Sequence, residues 1–289
     1  MKPANKIAIV NCSNGQKAEN RQNIEKLKSV LNELGLEPVF SDYIYEKDAV
    51  FSGSARQRAE ALMNFYKDDE IKAIYDISGG DIANEILPYL DFEVIKNSQK
   101  SFWGYSDLTT IINAIYAKTE KASVLYQIKN LIYEDSKNQI QSFKNLVLNN
   151  QHDIFNINYT FGQKEDMQGV VVGGNIRCLL KLAGTEYFPD MQGKILLLEA
   201  RSGQVPQMVT YLNQLKQMGV FDEVSGILLG TFTEMDSKGC KPDIVELVKM
   251  YAGSQLPIAV TKEIGHGADS KAVMIGKYLT FTNTKGGEG

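Results

Sequence analysis

The sequence predicts an α/β protein built on parallel sheets. Short apolar runs alternate with amphipathic stretches through the first half of the chain, and a similar alternation resumes after a polar, Asn- and Gln-rich stretch. This alternation is typical of parallel strands covered by helices on both faces. The chain has 289 residues, of which 43% are hydrophobic, so it is long enough for two domains with buried cores.

Four predicted strands and three predicted helices make up the first half. The strands are the apolar runs at 6–10, 37–40, 73–77 and 101–105. The helices are the amphipathic stretches at 20–34, 54–66 and 107–117. Gly35 can end the first helix, and Ser54 is a suitable N-cap for the second. The first half is therefore predicted to form a parallel sheet covered by helices on both faces.

The pattern loosens between 128 and 168, where one amphipathic piece at 140–148 stands out. We interpret this stretch as the connection between two domains, with His152 in a solvated loop. The predicted division is an N-terminal domain at 1–130, a connecting segment at 131–166 and a C-terminal domain at 167–289.

The second half contains further strands and helices. The predicted strands lie at 194–198, 226–230, 258–260 and 278–281, and the predicted helices at 175–182 and 206–218. The second helix places four apolar residues on one face, which predicts core packing. These residues are Met208, Val209, Leu212 and Leu215. The glycine-rich end at 285–289 is predicted to fray.

Composition excludes several classes of partner and site. A formal charge of -4 without a sustained basic run argues against nucleic acid, and no apolar stretch is long enough to span a bilayer. The start of the chain lacks a signal-peptide pattern, so a cytoplasmic location is expected. Three scattered cysteines and two histidines predict neither a disulfide framework nor a metal site.

His266 lies between two glycines after an apolar segment, and Glu199 follows four apolar residues. Histidine can take and return a proton near neutrality, and a carboxylate can orient its ring. These residues are therefore candidates for a general base and its partner. The alternatives are a histidine in an ordinary loop and a glutamate that surfaces where its strand ends.

Ser106 is the candidate nucleophile, because it lies between a predicted strand and a predicted helix. A serine at such a turn exposes its hydroxyl beside the positive end of the helix dipole. The alternative is an N-cap formed by Ser106 or Asp107. The local sequence lacks the second glycine of the Gly-x-Ser-x-Gly elbow, which argues against an ordinary α/β-hydrolase.

Gly79 and Gly80 follow the third predicted strand and precede Asp81. Backbone without Cβ atoms at the carboxyl end of a parallel sheet can approach a ligand closely, as Gly79 and Gly80 would here. Gly79 and Asp81 are the candidates for substrate binding. A simple tight turn is the alternative. The segment matches neither GxGxxG nor a Walker motif, so a nucleotide cofactor is not expected.

These segments together resemble peptidase family S66, the serine peptidases that include L,D-carboxypeptidases (muramoyltetrapeptide carboxypeptidases) and microcin C immunity proteins. The likeness runs from about Lys6 to Phe281. The motifs that carry it are Gly79-Gly80 with Asn84 and Leu87-Pro88-Tyr89-Leu90-Asp91, Gly104-Tyr105-Ser106-Asp107, Gly173-Gly174-Asn175 with Gly184-Thr185, the run from Gly193 to Glu199, Gly219-Val220-Phe221 with the run from Gly226 to Gly230, and Gly265-His266-Gly267.

The resemblance implies a catalytic triad of Ser106, His266 and Glu199. It also implies an oxyanion hole made by the backbone N–H groups of Gly80 and Asp107. The implied fold is a Rossmann-like N-terminal domain with a C-terminal domain that has a barrel-like β core. A homodimer that binds a small peptide or muropeptide, without metal or cofactor, is expected.

Three positions depart from the common family pattern. This chain has Ser78-Gly79-Gly80-Asp81 where many L,D-carboxypeptidases have Arg-Gly-Gly-Tyr, Glu199-Ala200 where Glu-Asp is common, and Tyr126-Gln127 where Tyr-Gly-Pro is frequent. Ser78 stands where the common pattern has arginine. The guanidinium of that arginine could bind a carboxylate through two hydrogen bonds, and the serine cannot. Glu199 follows Ser106 by 93 residues, a separation that favours the carboxypeptidase branch over the immunity branch.

Three functions follow as hypotheses. The first is a cytoplasmic serine carboxypeptidase that cleaves an L,D-amide bond of muropeptides in cell-wall turnover or recycling. The second is a microcin C immunity-type hydrolase that cleaves a peptidyl-nucleotide antibiotic. The third is a non-catalytic binding protein for small molecules, in which the triad residues are only structural.

Overall fold

The computed structural model describes residues 5–283, which contain two six-stranded sheets with helices packed against them. The strands are β1 (Asn5–Val10), β2 (Leu36–Phe40), β3 (Ile71–Asp76), β4 (Ser101–Gly104), β5 (Ser123–Leu125), β6 (Thr160–Gln163), β7 (Met167–Asn175), β8 (Ile195–Ala200), β9 (Gly226–Phe232), β10 (Ile258–Val260), β11 (Val273–Ile275) and β12 (Tyr278–Phe281). The helices are α1 (Arg21–Glu33), α2 (Ala55–Lys67), α3 (Phe92–Asn97), α4 (Thr109–Thr119), α5 (Ser136–Asn149), α6 (Ile176–Leu180), α7 (Val205–Gln217), α8 (Val220–Glu223), α9 (Thr233–Lys238) and α10 (Ile244–Ala252).

The first sheet has the strand order β11-β5-β4-β3-β1-β2. Strands β1 to β5 run parallel, so their carboxyl ends meet at one edge of the sheet. Strand β11 pairs antiparallel with β5, with Val273 opposite Leu125. Strand β11 comes from the segment that the sequence assigned to the second domain, so the chain returns to the first sheet here before β12 joins the second.

The second sheet has the order β12-β7-β8-β9-β10-β6, with four parallel strands in the centre and one antiparallel strand at each edge. Its two edges approach each other. The Tyr159 hydroxyl lies 3.0 Å from the carbonyl oxygen of Thr282, and its ring packs edge-on against Phe281. The sheet is thus curled into a half-barrel, which confirms the predicted α/β fold with a barrel-like second core.

Local sequence accounts for the helices that matter most to the core. Ser54 accepts a hydrogen bond from the backbone of Gln57, and the Gln57 side chain accepts one from the backbone N–H of Ser54. This capping box confirms the predicted start of α2. In α7 the apolar face predicted to pack is buried at Met208, Leu212 and Leu215, while Val209 is partly buried.

The predicted connecting segment is more ordered than its composition suggests. It contains α5, of which the amphipathic piece at 140–148 is only the second part, and the edge strand β6, which pairs with β10. Polar residues make up most of α5, so only its second part stood out in the sequence, and β6 spans only four residues. His152 is exposed, as predicted. The tail at 285–289 lies outside the described residues.

Candidate active site

Ser106 lies in a sharp turn at the carboxyl end of β4. Its φ angle is 55°, in the left-handed region that non-glycine residues rarely adopt. Such backbone strain costs of order 1–3 kcal/mol and is common at functional sites. One 3-10 turn, Ser106–Leu108, separates Tyr105 from α4, so the helix begins two residues later than predicted. The turn directs the Ser106 hydroxyl towards His266.

The three triad candidates form one hydrogen-bonded chain. Glu199 is fully buried near the end of β8, and His266 lies in the loop between β10 and β11. His266 Nδ1 is 2.7 Å from Glu199 Oε2, and His266 Nε2 is 3.2 Å from Ser106 Oγ. These partners favour the tautomer in which Nδ1–H donates to the carboxylate and Nε2 accepts the serine proton. The arrangement has the geometry of a serine hydrolase triad.

The alternative interpretations of Ser106 and Asp107 as N-caps do not match the hydrogen bonds. No side-chain cap is formed at the start of the 3-10 turn or of α4. The Asp107 carboxylate is buried and accepts hydrogen bonds from Ser13 Oγ at 2.6 Å and from Ala83 N at 2.8 Å. Asp107 therefore anchors the nucleophile turn to the segments that follow β1 and β3.

Asn175 holds the second oxygen of the Glu199 carboxylate. It ends β7 directly opposite Glu199 on β8, and its Nδ2 donates to Glu199 Oε1 at 3.0 Å. Its Oδ1 accepts from the backbone N–H of Cys178 and so caps α6. Both carboxylate oxygens are thus engaged, one by Asn175 and one by His266. Sequence analysis did not assign this role, although Asn175 belongs to the motif Gly173-Gly174-Asn175.

Replacing Asn175 by alanine is expected to lower kcat about tenfold or more. The change leaves one oxygen of a buried carboxylate without its donor, which costs about 1–3 kcal/mol and loosens the orientation of His266. Steady-state kinetics and thermal unfolding measure the two effects. Asn138→Ala, on the exposed face of α5, is the control. An Asn175→Ala protein with unchanged kcat would contradict the role given to this amide.

Tyr105 covers the triad on one side. Its ring centroid is 4.5 Å from that of His266, and the side chain is almost completely buried. Burial raises the pKa of Tyr105 well above its ordinary value, and the nearby Glu199 charge adds to this rise. The phenol therefore stays neutral at physiological pH and shields the histidine from water.

The glycine loop follows β3 at the same sheet edge as Ser106. Gly80 has a φ angle of 121°, and a Cβ atom there would lie 2.2 Å from the Asn14 side chain, so only glycine fits. The Asn14 backbone N–H donates to Gly79 O at 3.2 Å, and Asn14 Oδ1 accepts from Asp81 N at 2.9 Å. The loop is therefore held rigidly beside the nucleophile turn.

Two cations, Arg177 in α6 and Lys181 directly after it, connect the glycine loop to the second sheet. Arg177 forms an ion pair with Asp81 and donates to Gly80 O at 3.1 Å. Lys181 donates to Asp81 O at 2.8 Å and forms an ion pair with Asp107. The hydrogen bond from Arg177 lowers the pKa of Asp81. The carboxylate of Asp81, a candidate for substrate binding, is thus already paired within the protein.

The described residues hold no further site of the kinds that sequence analysis considered. Within 5–283, no group of three or more His, Cys, Asp and Glu side chains is placed to hold a metal ion. In the same range, no helix is both long enough and apolar enough to cross a membrane. The three cysteines are free thiols, and two of them are buried.

Comparison with known proteins extends these findings. The family model described as the LD-carboxypeptidase N-terminal domain matches residues 7–126, and the model of the C-terminal domain of that family matches residues 168–281. Together the two models cover well over half of the chain.

Individual proteins agree with this match. The probable murein peptide carboxypeptidase of Bacillus subtilis is 28% identical over 85% of this chain and 80% of its own length. The microcin C7 self-immunity protein MccF of Escherichia coli is 27% identical over 80% of this chain and 76% of its own. The crystal structure of an MccF-like protein from Bacillus anthracis superposes with a TM-score of 0.85 at 25% identity, covering 99% of this chain and 96% of that one. The chain therefore belongs to the LD-carboxypeptidase family, peptidase family S66, as its motifs suggested.

Proposed function

We propose that this protein is a serine carboxypeptidase that hydrolyses the amide bond between an L-centre and a terminal D-amino acid of a muropeptide. The observation that carries this proposal is the hydrogen-bonded chain Glu199–His266–Ser106 at 2.7 and 3.2 Å. The similarity to a probable murein peptide carboxypeptidase supports the substrate class.

In the proposed mechanism, Ser106 Oγ attacks the carbonyl carbon as His266 Nε2 takes its proton. Glu199 stabilises the imidazolium that results. The backbone N–H groups of Gly80 and Asp107 are the proposed donors to the tetrahedral oxyanion. His266 then passes the proton to the departing amine, and a water molecule activated by the same histidine hydrolyses the acyl-enzyme.

Release of D-alanine from a tetrapeptide that ends in L-Lys–D-Ala or diaminopimelate–D-Ala tests the substrate class directly. The same peptide ending in L-alanine is the matched control and should be cleaved much more slowly. A protein that leaves both D-terminal tetrapeptides intact does not have the proposed activity.

Chelation is expected to leave this activity unchanged. The triad supplies nucleophile, base and orienting carboxylate from side chains alone, so no step requires a metal ion. The rate of D-alanine release should therefore be the same before and after dialysis against EDTA. A loss of activity that Zn²⁺ or Mg²⁺ restores would contradict the serine mechanism.

A second candidate is an immunity-type hydrolase that cleaves an amide in a peptidyl-nucleotide antibiotic. The likeness to the microcin C7 self-immunity protein favours it. Expression of the protein in a microcin-sensitive host separates the two candidates. Resistance that depends on Ser106 would support the immunity function. Unaltered sensitivity would contradict the immunity function and favour the carboxypeptidase function.

The proposed function includes a cellular location and an oligomeric state for the protein. We propose that the protein acts in the cytoplasm as a homodimer, without nucleic-acid or membrane partners. Sedimentation equilibrium should then give twice the mass of one chain. A monomer with full activity would contradict the dimer.

A further inference from the structure

Two cationic side chains, Lys129 and Arg201, lie at the active-site edge without a partner. Within residues 5–283 neither side chain forms an ion pair or a hydrogen bond, whereas the cations Arg177 and Lys181 of the same region are both paired. Arg201 is exposed and Lys129 is partly buried. The triad mechanism does not use either residue.

The position of Lys129 follows from the first sheet. Strand β5 lies next to β4, and Tyr126 N donates to Gly104 O at 2.8 Å where the two strands end. Lys129 lies in the 3-10 turn Ile128–Ile132 that follows at this edge. Adjacent strands are about 4.8 Å apart, so this turn lies one strand away from the nucleophile turn.

The turn that carries Lys129 also contacts the loop that carries His266. Asn130, the next residue, donates to the carbonyl oxygen of Ser270 at 3.5 Å. Ser270 Oγ in turn donates to Gly265 O at 2.7 Å, directly before His266. Lys129 therefore lies where the strand of the nucleophile and the loop of the general base meet.

Arg201 lies on the second sheet's side of the active site, directly after β8, the strand that carries Glu199. It follows Glu199 by two residues, and its carbonyl oxygen accepts from Glu234 N at 3.1 Å just beyond the end of β8. Burial raises the pKa values of Tyr105 and Tyr133, and the positive charge of Arg201 opposes both rises. Tyr105 packs on the ring of His266, so the positive charge of Arg201 acts on a residue that contacts the triad.

Among the residues that the structure describes, no carboxylate forms an ion pair with either cation. Burial lowers the pKa of Lys129 to about 8; the charge of Asp76 opposes this change and that of Arg201 adds to it. The oxygens of Asp76 are engaged by the backbone N–H groups of Cys12 and Ser78 and by the Ser78 hydroxyl. The like charges of Lys129 and Arg201 repel each other, and a bound anion would relieve this repulsion.

We propose that Lys129 and Arg201 form an anion subsite for the free carboxylate of the substrate's terminal residue. This inference rests on the proposed function and names the residues that would select a free C-terminus. A guanidinium and an ammonium that lack internal partners are suited to bind a carboxylate by charge-assisted hydrogen bonds. The phosphoryl group of a peptidyl nucleotide offers the same anionic chemistry.

Calorimetric binding to the Ser106→Ala protein tests the subsite without turnover. The ligands are a D-Ala-terminated tetrapeptide with a free carboxylate and the same peptide as its C-terminal amide. The acid should bind at least about tenfold more tightly, and Lys129→Met or Arg201→Gln should each reduce this preference about tenfold. Lys137→Met, an exposed lysine of α5, is the matched control and should keep it.

Equal affinity for acid and amide, or a preference that survives both substitutions, overturns the subsite. A peptidyl nucleotide with an anionic phosphoramidate is the second ligand. If only this ligand binds and the two variants weaken it about tenfold, the cations hold a phosphoryl group and the carboxylate assignment is wrong. Failure of the proposed function appears separately, as the absence of D-alanine release by the unmodified protein.

The pH dependence of kcat/KM provides a readout that a merely structural role would not change. Lys129 loses its charge as pH rises through about 8, so kcat/KM for the acid peptide should fall above that pH. Asp76 and Arg201 are the charged groups that act on Lys129, while Lys26 of α1 donates to the carbonyl oxygen of Ile132. The fall should be absent in Lys129→Met. The same fall in both proteins overturns the assignment.

Discussion

Replacing Ser106 by alanine is expected to abolish hydrolysis of the D-terminal tetrapeptide, with kcat lowered by a factor on the order of 10⁴ to 10⁶. The substitution removes the proposed nucleophile, and His266 Nε2 loses its hydrogen-bond partner at 3.2 Å. Chromatographic detection of D-alanine measures the loss. The melting temperature should change by only a few degrees, since the side chain is small and half-buried.

The control is Ser136→Ala, at the start of α5 and outside the site, which should retain full activity. A serine-directed inhibitor should label the unmodified protein once, at Ser106, and should not label the Ser106→Ala protein. These outcomes also test the hypothesis of a non-catalytic binding protein, which predicts no label and ligand binding unchanged in His266→Ala. Full hydrolytic activity in Ser106→Ala would falsify the triad.

Replacing Glu199 by glutamine is expected to lower kcat by about 10³- to 10⁴-fold while the protein stays folded. The glutamine side chain has nearly the same shape, but its amide can present an N–H group to His266 Nδ1 in place of an acceptor oxygen. His266 then favours the wrong tautomer, and the imidazolium loses its stabilising charge. Because Asn175 donates to the other oxygen of the carboxylate, the side chain should keep its position.

Steady-state kinetics with the D-terminal tetrapeptide, together with circular dichroism, measure this effect. KM should change far less than kcat, since Glu199 is fully buried behind His266 and does not touch the substrate in the proposed mechanism. Glu186→Gln is the matched control, because Glu186 is exposed and pairs only with Lys118. A Glu199→Gln protein that retains a tenth or more of kcat would show that the carboxylate does not orient the base.

Sequence reasoning located most of the structural elements that have a strong local pattern. The strands at β1, β10 and β12 and the helices α2 and α7 were predicted within one or two residues, because each has a clear apolar run, period or cap. The weakly patterned elements were missed. Strands β5 and β11 span three residues each and show no period; β10 is equally short, and only its isolated apolar run Ile258-Ala259-Val260 marked it.

The candidate site was predicted unevenly for a similar reason. Ser106, Glu199 and His266 each lie where a strand or apolar run ends, so local sequence marked them individually, and the family motifs grouped them. Asn175 was not assigned a role, because its contact with Glu199 depends on the register of two parallel strands. Sequence does not reveal this register.

The glycine loop is a second case in which a contact could not be read from the sequence. The motif Ser78-Gly79-Gly80-Asp81 lacks the arginine of the common family pattern, and the sequence suggested that a guanidinium was lost. The structure places the guanidinium of Arg177 against Gly80 O and Asp81, so a guanidinium does contact the loop. It comes from α6, nearly a hundred residues further along the chain.

By itself, the sequence determined the fold class, the principal helices and strands and the three residues most suited to acid–base and nucleophilic chemistry, because these depend on local periodicity, caps and residue type. Only the tertiary structure showed how the three side chains contact one another. Ser106 reaches His266 across 160 residues of chain, and His266 reaches Glu199 across 67. Contacts over such separations arise from tertiary packing, in which α4 contacts β4 of the first sheet and β7 of the second. The side-chain pattern within one segment does not reveal that packing.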